Sequence, residues 1–196
     1  VVSMKNTTQQ NIRCFVAIEI PKTIQNHLIS IQDELRKKIK QASWVKPGNV
    51  HLTLKFLGEV NPGHIETIGQ TIQQVAVNHS AFSMLIGGMG AFPNLTRPRV
   101  IWVGVKVGVA EISALARDIN VELSRCGYPF DEKKFNPHLT LARLKSRVNL
   151  RPFVDVFRQY DEIDGAKMTV NEIVLVQSQL YPTGAIHILL KICALN

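Results

Sequence analysis

Two short segments of this chain carry side chains suited to proton transfer. Residues 49–57 read Asn-Val-His-Leu-Thr-Leu-Lys-Phe-Leu, and residues 136–144 read Asn-Pro-His-Leu-Thr-Leu-Ala-Arg-Leu; six of the nine aligned positions are identical. Each reads as a β-strand, in which alternate side chains share a face. His51 and Thr53 then point one way, Leu52 and Leu54 the other, and His138 and Thr140 repeat the pattern. Imidazole titrates near neutrality, so one neutral and one charged ring can act as base and acid around a phosphate. A hydroxyl two residues on, about 7 Å along a strand, can lean to the same phosphate and bond its non-bridging oxygens. By the same alternation Lys55 joins the His51 face and adds positive potential. Arg143 has the parity of Leu139 and Leu141, and reaches substrate only if its strand ends or bulges. Two ordinary amphipathic strands would also place His and Thr on a polar face; the matched flanks favour a site.

The elements that must hold these strands are legible in outline. The chain has 196 residues and is 45% hydrophobic, enough for one domain or two small lobes with a real core. Residues 1–11 are mostly polar and read as a flexible N-terminal tail, leaving 12–196 as a single domain. Ile12–Ile20 reads as a strand, with Pro21 opening a helix whose stripe is Ile24, Leu28, Ile31, Leu35 and Ile39. Asn61-Pro62 starts a second helix, with Ile65, Ile68, Ile72 and Val75 facing inward. Strands are expected at 81–86 and 99–107, joined by a loop at 87–98 that contains Gly87-Gly88-Met89-Gly90. A third helix spans about Ala110–Cys126 and stops at Gly127; a short one covers Arg151–Phe157. The last strands are Lys167–Gln177 and Ala185–Cys193. This order is neither a strict parallel alternation nor a run of hairpins. It implies an α+β fold with largely antiparallel sheets and helices on their outer faces.

Composition narrows the function classes. No apolar run reaches the roughly 18 residues of a membrane span, so no membrane role is expected. Three scattered cysteines, Cys14, Cys126 and Cys193, lack any Cys-x-x-Cys pairing and read as reduced thiols in a cytoplasmic protein. The net charge of +8 favours a nucleic-acid or phosphate partner. Neither tetrad has a second His or a carboxylate at metal-ligand spacing, so no metal is expected. The glycine-rich stretch lacks the trailing Gly-Lys-Ser/Thr of a phosphate loop.

Together with the two tetrads, further segments resemble the two-histidine phosphoesterase superfamily. The nearer likeness is to its RNA 2′,3′-cyclic phosphodiesterases, also called 2′-5′ RNA ligases. They are Phe15–Ile18, Trp44–Pro47, His51–Val60, Gly90–Pro93 with Arg97–Val100, Pro137–Arg143, and Gln177-Ser178-x-Leu180. The resemblance implies a bilobal fold, two antiparallel sheets related by a pseudo-twofold axis, and a central cleft lined by both tetrads. It implies metal-independent, cofactor-free opening of a 2′,3′-cyclic phosphate at an RNA 3′ end to a 2′-phosphate. His51 would be the proton donor and His138 the acceptor, roles that exchange in the reverse reaction and that sequence alone does not separate; ATP-independent 2′-5′ ligation is implied as well. Thr53 and Thr140 would hold the phosphate; Lys55 and Arg143 are the further substrate contacts. His187 departs from the pattern, standing where an aromatic such as Tyr is expected. It and His27, His64 and His79 are read as surface positions without a role.

Other readings remain open at this point. A non-catalytic RNA-binding module could use the basic charge with exposed aromatics such as Trp44 or Phe92. The same chemistry could act on small cyclic nucleotides or 2′-5′ oligoadenylates. A monomer is expected.

Overall fold

A computed structural model describes residues 10–161, 163, 166–182 and 184–196. The expected tail therefore lies outside the described residues apart from Gln10 and Asn11. In chain order the elements are β1 (Ile12–Glu19), α1 (Lys22–Lys38), β2 (Ala42–Trp44), β3 (His51–Val60), α2 (Ile65–Ala76), β4 (Phe82–Phe92) and β5 (Val100–Val107). They continue with α3 (Val109–Arg125), β6 (His138–Leu144), α4 (Val154–Arg158), β7 (Lys167–Val170), β8 (Glu172–Tyr181) and β9 (Gly184–Ala194).

Among the described residues all strand pairings are antiparallel, and the order β7-β4-β5-β6-β3-β1-β8-β9 divides at its centre into two four-stranded halves. The halves meet at a single rung, Leu52↔Leu139, so the two expected sheets run into one another as a curled nine-stranded surface, β2 pairing beside β6. Connectivity repeats across that rung. β1-α1-β3 and β5-α3-β6 are each a strand, a crossover helix and an antiparallel neighbour. A pseudo-twofold axis therefore passes between Leu52 and Leu139.

The apolar stripes read from the sequence are the buried helix faces. Ile24, Leu28, Ile31 and Leu35 of α1, Ile68 and Ile72 of α2, and Ile112, Leu115, Ile119 and Leu123 of α3 are all at most 4% exposed. They join Leu52, Leu54, Leu139 and Leu141 in one core. Asn61 Oδ1 accepts the Gly63 amide and caps the 3₁₀ turn Pro62–His64 that leads into α2. Gly127 ends α3 with φ +89°, a left-handed conformation that suits glycine.

Two expectations fail in detail, and one strand was not foreseen. Residues 87–92 are not loop: β4 runs on to Phe92, and its glycines are there for packing and a bulge. A Cβ on Gly90 would lie 2.3 Å from the Trp102 ring, so glycine lets the indole lie flat on the strand. Residues 167–177 are two strands, because β7 pairs with β4 in one half whereas β8 pairs with β1 in the other. Short β2 was not foreseen; its existence depends on pairing with distant β6.

Candidate active site

The site forms where β3 and β6 touch. In an antiparallel pair residues flanking a rung oppose one another. Leu52↔Leu139 therefore sets His51 opposite Thr140, and Thr53 opposite His138. By that register the two histidines lie on the diagonal, a spacing of about 7–8 Å in a regular pair. Leu52 and Leu139, fully buried, hold the opposite face in the core.

Each ring is locked the same way. His51 Nδ1 lies 2.8 Å from the Asn49 carbonyl oxygen, and His138 Nδ1 lies 2.7 Å from that of Asn136. A carbonyl only accepts, so Nδ1 carries the hydrogen and Nε2 is left to exchange a proton. In both halves the acceptor is the backbone carbonyl of the asparagine two residues before the histidine, so the repeat extends to the ring's hydrogen bond.

Aromatic side chains wall both rings. Phe15 stacks on His51 at 4.5 Å and 20°, and His187 meets both His51 and Phe15 edge-on at 5.1 Å. Phe92 meets His138 edge-on at 4.9 Å, with Trp102 at 6.5 Å. Burial pushes the His51 pKa down to about 4, helped by the positive charges of His187, Arg143 and His138 and opposed by the Asn49 bond. His138 is lowered as well, by burial first and Arg143 last, against the Asn136 bond. Burial likewise lowers His187. His51 is thus neutral at neutral pH. A cavity of about 360 Å³ opens beside it, lined among others by Phe15, Lys22, Gln25 and His187.

A β-bulge in each strand decides what else faces the cleft. Ala17 and Val16 pair with Thr53 and Lys55, which leaves Leu54 as the extra residue of β3. Trp102 and Ile101 pair with Thr140 and Ala142, leaving Leu141 extra in β6. Both bulges fall three residues after the histidine, and each reverses the alternation beyond it. The Lys55 expectation is corrected here. Its side chain turns inward, 4% exposed, and Nζ donates to Asn120 Oδ1 at 2.7 Å and to the Pro129 carbonyl at 2.8 Å. Phe56 takes its place outside, 58% exposed, its ring 6.1 Å from Phe15. Arg143 is exposed on the His138 side by the same reversal, and its charge reaches both histidines.

The bulges have dedicated partners. Among the described residues the buried polar side chains are Gln32, Lys55 and Asn120. Gln32 Nε2 donates to the carbonyls of Val45 (3.0 Å) and Leu141 (2.9 Å), tying α1 to the bulged residue of β6. Lys55, next to the bulge of β3, is tied to α3 through Asn120, which also binds the Asp131 backbone at 3.0 Å on both sides of its amide. Each crossover helix therefore braces the histidine strand of one half with a buried polar group.

The residues that sequence reasoning missed are Phe15, Phe56, Trp102 and His187. His187 is corrected from a surface position to a wall of the site: β9 pairs with β8 and β8 with β1, which lays it over Phe15. Trp44 is half-buried with the Arg36 guanidinium 5.6 Å from its ring, not a free aromatic. Among the described residues, no three His, Cys, Asp or Glu side chains group as a metal site, and no helix is long and apolar enough to cross a membrane.

Paired imidazoles at the seam of two matched half-sheets define a phosphoesterase of the two-histidine superfamily. The sequence pattern of the family described as LigT like Phosphoesterase matches twice in succession, over residues 18–102 and 103–187, and the chain belongs to that family. The protein named RNA 2′,3′-cyclic phosphodiesterase of Archaeoglobus fulgidus is 35% identical over 177 residues, covering 90% of this chain and 96% of that one. The protein of the same name from Methanothermobacter thermautotrophicus is 31% identical over 176 residues, covering 90% and 95%. Among solved structures, TT0787 of Thermus thermophilus superposes with a TM-score of 0.78 at 26% identity, over 94% of this chain and 98% of that one. Escherichia coli LigT complexed with 3′-AMP shares the fold, with a TM-score of 0.76 at 24% identity over 95% and 99%.

Proposed function

We propose that this protein opens 2′,3′-cyclic phosphate ends of RNA to 2′-phosphates, without a metal, by proton transfer through His51 and His138. The relatives' activity supports cyclic-phosphate hydrolysis. The observation that carries the route is the matched pair of Nδ1–carbonyl bonds, which frees both Nε2 atoms. His138 takes a proton from water as its oxygen attacks phosphorus. The P–O3′ bond breaks, and His51 protonates the departing ribose oxygen. O2′ stays bonded, which leaves a 2′-phosphate. Thr53 and Thr140 donate to the non-bridging oxygens, and Arg143 adds a positive charge.

The donor role of His51 follows the family resemblance. Its low pKa speaks for the reverse assignment. The phosphodiester anion has to raise that pKa before His51 can donate. An aryl phosphodiester separates the two, because its leaving group needs no proton. If His51 is the donor, H51A keeps wild-type rates on that substrate and H138A does not. With a 5′-hydroxyl in place of water, the same steps form a 2′-5′ linkage without ATP. Free thiols at Cys14, Cys126 and Cys193 fit a reducing cytoplasm.

The test is a panel of oligonucleotides ending in a cyclic phosphate, a 2′-phosphate or a 3′-phosphate, with products identified by mass and migration in the presence of a chelator. A 2′-phosphate product is expected at undiminished rate. A 3′-phosphate product, or activity abolished by the chelator and restored by metal, overturns the proposal.

A further inference from the structure

Residues 67–110 and 133–154 contain no Asp or Glu, and the fold brings parts of these two stretches together at the His138 end of the cleft. The Leu144 amide donates to the Arg99 carbonyl at 2.9 Å, and the Leu150 amide donates to the Leu95 carbonyl at 2.8 Å. Exposed Arg97, Arg99, Arg143, Lys145, Arg147 and Arg151 come from these stretches. Among the described residues none of the six takes part in an ion pair, whereas seven other lysines and arginines do. Concentrated positive charge without carboxylate neighbours is the footprint of a polyanion site.

The same place is hollow and has an aromatic wall. A cavity of about 810 Å³ is lined by Arg97, Arg151, Trp102, Asn94 and Thr96 among others. Its rim is built in advance: Asn94 Oδ1 accepts the amides of Thr96 and Arg97, both at 3.0 Å, which fixes the loop that carries Arg97. The Trp102 indole N–H is buried with no acceptor among the described residues. Trp102 also packs beside Phe92 at 5.1 Å and His138 at 6.5 Å, so the cavity adjoins the reacting centre. Cations that track a backbone, next to an aromatic face, are how proteins hold single strands without reading sequence.

We propose that the Arg97–Arg151–Trp102 cavity is a subsite for a single-stranded RNA chain running from the reaction centre, which makes the enzyme one for oligonucleotide ends rather than small cyclic nucleotides. The proposal rests on the phosphodiesterase reading above. The chain comes from one of two sources: the nucleotides 5′ of the cyclic phosphate, or a second strand whose 5′-hydroxyl replaces water.

The experiment compares wild type with R97Q/R151Q on a 2′,3′-cyclic mononucleotide and on a tetranucleotide ending in a cyclic phosphate, from 50 to 200 mM salt. A 5′-hydroxyl tetranucleotide without a cyclic phosphate is added in trans as a separate arm. If the substrate's own chain fills the cavity, KM for the tetranucleotide rises tenfold or more in the variant while the mononucleotide constants stay within twofold. The salt-induced loss of binding also shrinks by about sevenfold for two single-strand charges. If a second strand fills it, the 5′-hydroxyl strand binds wild type and not the variant, and substrate constants are unchanged. Equal effects on mono- and tetranucleotide, or no effect in any arm, overturn the subsite. Should wild type hydrolyse neither substrate, the phosphodiesterase reading falls. The subsite is then judged by anisotropy of a labelled tetranucleotide: weaker binding by R97Q/R151Q sustains it, unchanged binding ends it.

Discussion

Replacing Lys55 with Met tests whether the bulge in β3 has been read correctly. By strict alternation Lys55 would share the cleft with His51; in the structure it is a buried brace with two hydrogen bonds, 2.7 Å to Asn120 and 2.8 Å to the Pro129 carbonyl. Methionine keeps most of the stem and its packing and removes the ammonium. The gross loss is two charge-assisted hydrogen bonds, each about 1.5–3 kcal/mol. Against that stands the desolvation of a buried cation, no longer incurred. Burial already lowers the Lys55 pKa, opposed by Asp131, so the desolvation penalty is substantial. Asn120 Oδ1 keeps the Asp131 amide as donor, and so is not left wholly unsatisfied. The net expectation is a destabilisation of about 1–3 kcal/mol. For a chain of this size that lowers Tm by roughly 2–12 °C. Turnover on a cyclic-phosphate substrate, measured well below Tm, is expected within about threefold of wild type. The assay pairs thermal unfolding with kcat/KM on the same preparation. A fall in kcat/KM of more than tenfold with Tm unchanged would place the ammonium in the cleft and refute the bulge argument.

The remaining expectations concern the histidines and the second brace. H51A and H138A each lower kcat on a cyclic-phosphate oligonucleotide by about a hundredfold or more, with Tm within a few degrees of wild type; near-normal turnover in either variant rejects its role in proton transfer. Because the folded pKa of His51 is held at about 4, below its ordinary value of 6.5, the unfolded chain binds more protons than the folded one between those values. Stability from this group is therefore full above pH 6.5 and is lost as pH falls toward 4, by up to about 3 kcal/mol. H51Q flattens that acid limb in denaturant titrations at pH 4.5 and 7, and an unchanged limb would show that His51 is not depressed. Replacing Gln32 with Leu removes the two bonds that tie α1 to the Val45 and Leu141 carbonyls. It is expected to destabilise the fold by about 1–3 kcal/mol and, because the β6 bulge sets Arg143, to raise KM more than it lowers kcat.

Much of the site was legible because strand periodicity is a local property. His51, Thr53, His138 and Thr140 needed only the alternation of a pleated strand to be put on matching faces, and the asparagine before each histidine is part of the same local repeat. The helices were equally readable: apolar spacings of three and four residues marked the buried faces of α1, α2 and α3. What could not be read is whatever depends on a partner far away in sequence. The Leu-Thr-Leu runs give no hint that Leu54 and Leu141 are extra residues, since a bulge exists only relative to the strand beside it. Lys55 and Arg143 therefore exchange their expected faces. In β4 the glycines looked like chain breakers, yet Gly90 is there to accept the Trp102 ring. His187 was read as a surface residue because nothing local marks it; its strand lies two strands from β1, and only that stacking order brings it to His51.

The braces explain why the two exchanges come together. A bulge leaves backbone groups without ladder partners, and a buried carbonyl left unpaired is costly. In β6 the exposed group is the Leu141 carbonyl, which receives the Val45 amide and the Gln32 side chain. The β3 bulge turns the following residue inward, and that residue is itself the polar group, Lys55, reaching Asn120 and Pro129. The two halves thus solve one geometric problem with different side chains. The residue that ends up outside differs as well: Phe56 in one half, Arg143 in the other. A symmetric scaffold, with aromatic walls at both histidines, consequently adds the Phe56 ring on the His51 side and a cation, Arg143, on the His138 side. A substrate with a flat nucleoside at one end of an anionic phosphate fits that polarity, and exchanging the two side chains in F56R/R143F would be expected to weaken binding of a cyclic nucleotide by tenfold or more while both tetrads remain intact.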